Sequence, residues 1–349
     1  MFTKTTKRVI SLILCVLMFV PFMTIMSSAY VADPYSDERT EARNKFGAPV
    51  KAGEVEKKVF LGPTKTYYTE YRVYSPVKKT TDTKYPVVFL IGKNNTKTPN
   101  SEDLRLDSFA FWANDEYQNR FYETKGAYIV YVRPADADVS IQLESFKLMM
   151  EEFIKDRKAN IDMNRLYVVA WDKGCSLAIK ATTSKESNFA ALVLSSPREM
   201  INSFPSIPTW LIASKNDQAA SFDLTQCWSY LKDYTSTDLD KIRFTSFDSF
   251  NSLGEKNHET WEYVAYDINK YTGEKSGAKT VNGRDQGVDA TSVIEWMSKF
   301  GTDFGSDCDC PCHGATGWEA VKWFFKWMIS MMLKIEKNRP CKCGVKDHW

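Results

Sequence analysis

The chain has 349 residues, 43% of them hydrophobic and 14% aromatic, with 46 Lys and Arg against 44 Asp and Glu. That supplies core material for one domain of about 200–250 residues plus small appendages. So even a charge balance gives no electrostatic footprint for a nucleic-acid partner.

The chain opens with Lys4, Lys7 and Arg8, runs apolar over residues 9–26, and reaches the small residues Ser27, Ser28 and Ala29. Basic, apolar and small regions in that order read as a secretory signal peptide over 1–29. Ser11, Pro21 and Thr24 interrupt the run, which disfavours a permanent span, and Leu14 before Cys15 makes a poor lipoprotein signal. The expectation is an exported protein, secreted or associated with the cell surface. Residues 30–52 are polar and charged, a lead-in with little to bury.

From 53 to 300 the pattern changes to that of an α/β domain. Strands are expected at 55–61, 66–74 and 87–91, separated by Gly-Pro and Lys/Thr-rich turns. A helix is expected at 102–123, then a buried strand at 127–132 closed by Arg133-Pro134. Residues 139–158 form an amphipathic helix with Leu143, Phe146, Met150, Phe153 and Ile154 on its apolar face. Strand 166–170, helix 175–181, strands 190–194 and 209–213, helix 224–234, strand 242–247 and helix 259–269 follow. A Gly-rich polar loop (271–289) and a last helix (290–300) end the domain. Strands alternating with helices predict a mostly parallel central sheet covered on both faces.

Between strand 166–170 and helix 175–181 lies Ala170-Trp171-Asp172-Lys173-Gly174. A strand running through a sharp turn into a helix, with small residues two before and two after the central one, is the context of a nucleophile elbow. The central residue of an elbow is usually a serine at positive φ; here it is Asp172, a residue type that tolerates that conformation. Two further segments follow in order. Asp217 sits in the loop after strand 209–213, and His258, the one histidine of the domain, sits in the loop after strand 242–247. Nucleophile, acid, histidine is the chain order of α/β-hydrolase triads. Taken singly, Asp217 is equally a loop aspartate and His258 equally a cap for the next helix; Cys175 reads as a small core residue, and Ser176 should point away from the elbow.

The segments 111–121, 160–167, 170–174 and 214–217, together with His258, Trp261 and Tyr266-Asp267, resemble those of secreted bacterial esterases of the polyhydroxybutyrate-depolymerase and feruloyl-esterase type. The resemblance covers roughly residues 55–300 and implies an α/β-hydrolase fold, with Asp217 as triad acid and His258 as general base. It also implies a His-Gly oxyanion loop after the first core strand, where this chain has Ile91-Gly92. A carboxylate attacking an acyl carbonyl would give an anhydride and set negative charge beside the forming oxyanion, which opposes the transition state. The expected outcome is a binding or surface pseudoenzyme with a site for a small acyl or ester-bearing ligand and no cofactor in the hydrolase domain. The alternative is an active hydrolase, of the esterase class or one using Asp172 as nucleophile at saturated carbon.

After a linker at 301–307, residues 308–349 form a separate module. Cys308, Cys310, Cys312 and His313 open it; Cys341, Cys343 and His348 close it. This ligand density suits a structural zinc; disulfides with one spare thiol are the other reading for an exported protein. Between the clusters, Glu319, Lys322, Lys326, Ser330, Lys334 and Lys337 mark a single polar stripe on an otherwise apolar segment. Such a helix packs on the main domain, pairs with another copy or lies in a membrane interface. The module resembles a tail on exported proteins of Gram-positive anaerobes, which implies a partner at the cell surface, in a membrane or on another protein.

Overall fold

A computed structural model describes residues 56–302 apart from 62–67, 77–82, 93–111, 135–137, 185–186, 216, 221, 235–236, 248–257, 259, 268–277 and 290–291. The signal peptide, lead-in and Cys-rich module expected from the sequence lie outside the described residues.

Among the described residues nine strands form one sheet: β1 (Glu56–Leu61), β2 (Tyr68–Tyr74), β3 (Tyr85–Ile91), β4 (Tyr128–Arg133), β5 (Ile161–Asp172), β6 (Phe189–Pro197), β7 (Thr209–Ser214), β8 (Arg243–Phe247) and β9 (Lys279–Asn282). Their order is β1-β2-β4-β3-β5-β6-β7-β8-β9. β2 pairs antiparallel with β1 and β4. From β4 through β3, β5, β6 and β7 to β8 every pairing is parallel. β9 closes the far edge antiparallel to β8. This is the α/β-hydrolase fold that the sequence leads one to expect.

The central strands are buried on both faces, as parallel strands must be. In β3, Val88 and Leu90 face one apolar cluster with Trp112, Tyr117 and Trp210. Val87, Phe89 and Ile91 face the other, with Phe146, Met149 and Phe153. Phe89 meets Phe146, Phe153 and Phe189 edge-on at 5.6, 6.0 and 6.1 Å, a geometry worth about 0.5–1.5 kcal/mol per pair beyond burial.

Helices α1 (Asp115–Gln118), α2 (Val139–Arg157), α3 (Gly174–Thr183), α4 (Leu224–Tyr234), α5 (Trp261–Tyr266) and α6 (Val293–Met297) flank the sheet. Among the described residues none is long and apolar enough to cross a membrane.

Four expectations are corrected. Within the span 102–123, the described residues contain an α-helix only at Asp115–Gln118. Gln118 ends it by turning its side chain to Trp112 O and Ala127 N, and Glu123 and Lys125 take positive φ. α2 buries Gln142, Ser145, Phe146, Met149 and Phe153, so its buried face is rotated and Leu143, Met150 and Ile154 lie at the border. The span 271–289 holds an edge strand, β9, which the loop reading missed because only one of its four residues is apolar. The helices expected at 259–269 and 290–300 are shorter; α5 stops where Asp267 adopts a left-handed conformation (φ 48°).

The motif segments named above knit the domain together. Arg120 donates to the Asp267 carboxylate at 2.7 Å. Asp267 also accepts from the Ser292 hydroxyl and, at 2.6 Å, from Val293 N. Trp112 Nε1 donates to Ala265 O at 2.8 Å. Asp267 is fully buried, and desolvation raises its pKa despite the opposing pull of Arg120.

Candidate active site

β5 runs through Val168, Val169, Ala170 and Trp171 to Asp172, then turns into α3 within two residues. Asp172 has φ 52°, the strained left-handed conformation of an elbow residue. The turn is tight for a visible reason. A Cβ on Gly174 would lie 2.4 Å from Ile91 O and 2.6 Å from Gly92 O. Only glycine lets α3 start this close to the end of β3. The elbow geometry expected from Ala170 and Gly174 is therefore present around an aspartate.

The structure brings Asp172, Asp217 and His258 together. Asp217, just after β7, accepts from Ala219 N at 2.8 Å and Ala220 N at 3.1 Å through Oδ1. Its Oδ2 meets His258 Nδ1 at 2.6 Å. His258 Nε2 lies 3.3 Å from Asp172 Oδ1. All three side chains are buried. The loop holding His258 is pinned by Thr260, whose hydroxyl meets Ser195 Oγ at 2.6 Å and Ser196 Oγ at 2.7 Å. Trp261 stands edge-on to the imidazole at 5.4 Å.

A fourth residue completes the cluster and has no signal in the sequence. Pro197 is the register partner of Asp172 across β5 and β6, which places the next residue, Arg198, over the elbow. Its Nε donates to Asp172 Oδ1 at 2.6 Å, while 42% of its side chain remains exposed. Asp172 thus directs one oxygen at two cationic groups.

The protonation follows from the partners. Ionised carboxylates only accept hydrogen bonds, so an imidazole between two of them donates from both nitrogens and carries a positive charge. Burial alone would lower the His258 pKa, but the hydrogen bonds to Asp172 and Asp217 outweigh it and raise it to about 9. Burial alone would raise the Asp172 pKa, but His258 and Arg198 outweigh it and hold the carboxyl below its usual range. At neutral pH the elbow is an aspartate–imidazolium–aspartate chain with a guanidinium at its mouth.

The neighbouring residues play the parts expected of them. Cys175 is buried with its thiol 3.6 Å from Ser195 O, and burial pushes its pKa well up, so it belongs to the core. Ser176 turns its hydroxyl to Glu199 at 2.6 Å. Ile91 is fully buried at the end of β3, and the loop beyond Gly92 lies outside the described residues. So do Cys308, Cys310, Cys312, His313, Cys341, Cys343 and His348, the expected metal ligands. Among the described residues no group of three or more His, Cys, Asp or Glu is placed to hold a metal ion.

No protein-family model matches the chain, and no curated protein matches it in sequence. Solved structures match its fold. A thermostable esterase superposes with a TM-score of 0.50 at 16% identity, over 71% of this chain and 63% of its own. The Pyrococcus horikoshii acylaminoacyl peptidase gives 0.42 at 15%, over 61% of this chain and 41% of its own. The Pyrococcus furiosus esterase Pf2001 gives 0.43 at 9%, over 61% and 90%. The chain thus spans less than two thirds of the thermostable esterase it matches, and at 16% identity that likeness is one of fold.

Proposed function

We propose that this chain is an exported α/β-hydrolase-fold protein in which the esterase elbow has become a charged binding site that does not carry out serine-type acyl transfer. One observation carries the reading: Asp172 occupies the nucleophile position and its Oδ1 is held by both His258 Nε2 and Arg198 Nε.

Each part of acyl transfer is opposed by that arrangement. A general base must be neutral to take a proton, yet His258 with a pKa of about 9 is almost wholly protonated at pH 7. Paired with two cations, the Asp172 carboxylate is a weakened nucleophile. Attack on an acyl carbonyl would also place its charge against the developing oxyanion. Displacement at saturated carbon is weakened in the same way, because Arg198 and His258 both draw charge from the carboxylate through Oδ1. What remains is a carboxylate and a half-exposed guanidinium side by side at the mouth of an esterase-type site, suited to hold a small acyl- or ester-bearing ligand.

The test is turnover by the wild-type protein on a panel of p-nitrophenyl esters, epoxides and haloalkanes. The reading expects rates at background throughout. Robust hydrolysis of any member that disappears in His258→Ala would show an active enzyme instead.

A further inference from the structure

Helix α2 carries more apolar surface than the sheet covers. Its buried face spends two positions on the polar Gln142 and Ser145, while Leu143, Met150 and Ile154 are left half-buried at the border of the core. Met163 of β5 is half-buried in the same way. Met150, Ile154 and Met163 line a shallow cleft of about 120 Å³, with Phe146, Leu166 and Phe189 as its deeper walls. The cleft lies at the start of β5 and β6, the end of the sheet opposite the elbow. It is too small for a helix and large enough to receive one or two bulky side chains from a helix laid across it.

The chain itself leaves the domain at this same end of the sheet, on the opposite face, where Phe300 packs with Trp296 and Met297. Tyr167 Oη donates to Phe300 O at 2.7 Å, and Thr302 N donates to Asn164 O at 2.8 Å. Asn164 is the residue after Met163. Residues 318–337 then supply Trp318, Trp323, Phe324, Phe325 and Trp327 on a segment whose polar positions fall on one stripe. In water such a segment needs an apolar partner. The 15 residues between Thr302 and Trp318 span at most about 50 Å when extended, so the cleft is within reach. A partner tethered on so short a link competes at an effective concentration in the millimolar range, ahead of a second copy or a membrane.

We propose that segment 318–337 of the same chain folds back as a helix onto α2, with its aromatic side chains seated in the Met150–Ile154–Met163 cleft. This covers the surplus apolar arc of α2 and uses the exit at Thr302 as the anchor.

The experiment uses the full chain with Met150→p-benzoylphenylalanine, irradiated with and without phosphatidylcholine–phosphatidylglycerol vesicles. The expected product is an intramolecular cross-link to a peptide within 318–337, in the monomer, in both conditions. A cross-linked dimer, a lipid adduct or no cross-link to 318–337 overturns the proposal. A second measurement guards against local disturbance by the probe. In Ile154→Glu, amide exchange over 318–337 should lose about tenfold or more of its protection while β5 and β6 keep theirs. If β5 and β6 lose protection as well, Met163→Glu replaces it as the test variant. Unchanged exchange in 318–337 with the sheet intact also overturns the docking.

Discussion

Replacing His258 by glutamine should remove a pH-dependent part of the stability whose size and sign follow from the elbow. An imidazole at 6.5 in the unfolded chain and at about 9 in the folded one contributes roughly 3 kcal/mol at about 1.4 kcal/mol per pH unit. Because the folded-state pKa is raised, this contribution is fully present below about pH 6.5 and is lost as pH rises through about 9. Asp172 behaves oppositely. Its folded-state pKa is lowered, so its share is present above the unfolded value near 3.9 and is lost as pH falls through the folded value. The two describe one ion pair from its two ends and are not added. The pair is therefore worth most between about pH 4 and 6.5.

Urea unfolding of wild type and His258→Gln across pH 6 to 10 measures this directly. Whatever constant offset the substitution brings, the slope belongs to the imidazole. The difference in unfolding free energy should shrink by roughly 3 kcal/mol over that range. A difference that stays flat, or grows with pH, would refute the imidazolium between two carboxylates.

Three further outcomes rest on separate contacts. Gly174→Ala should cost about 3 kcal/mol or more in urea unfolding, because the new Cβ meets the backbone oxygens of Ile91 and Gly92 and no side chain can rotate away; a variant as stable as wild type would mean α3 and β3 do not approach so closely. Arg198→Ala should change stability by less than about 1 kcal/mol, its guanidinium being half exposed, and an NMR titration should still find His258 raised; a His258 pKa back near 6.5 would assign the shift to the wrong partners. Asp267→Ala should cost about 3–5 kcal/mol by thermal or urea unfolding, since it removes the one buried carboxylate to which Arg120, Ser292 and Val293 N all donate; a loss below about 1 kcal/mol would show that the buried carboxylate does not hold these segments.

The parts of the site that were legible in the sequence are those set by local backbone chemistry. Ala170 and Gly174 announce the tight strand-to-helix turn because larger residues cannot occupy it, and Asp172 announces itself by standing where the turn requires positive φ. Asp217 and His258 were legible through chain order and through the scarcity of histidine. Arg198 was not, because its placement comes from the register between β5 and β6, a non-local property with no periodic trace. The edge strand β9 was missed for a related reason. With one face toward solvent it needs few apolar residues, and Lys279-Thr-Val-Asn282 reads as a loop until Arg243–Ser246 pairs with it. The face of α2 was misjudged because its apolar residues outnumber the places the sheet offers, and sequence alone cannot choose which are buried.

The central claim is that an intact elbow and its acid–histidine pair have lost acyl transfer through Asp172. Labelling with a fluorophosphonate, followed by mass spectrometry to locate the label, tests it most directly, because the reagent reacts with a serine hydroxyl activated as a nucleophile. Wild type should take up no label, and Asp172→Ser should be labelled at position 172 with a rate that falls in the Asp172→Ser, His258→Ala double variant. A wild-type protein that hydrolyses esters and is inactivated by the reagent, or an Asp172→Ser protein that folds normally yet stays unlabelled, would contradict the account.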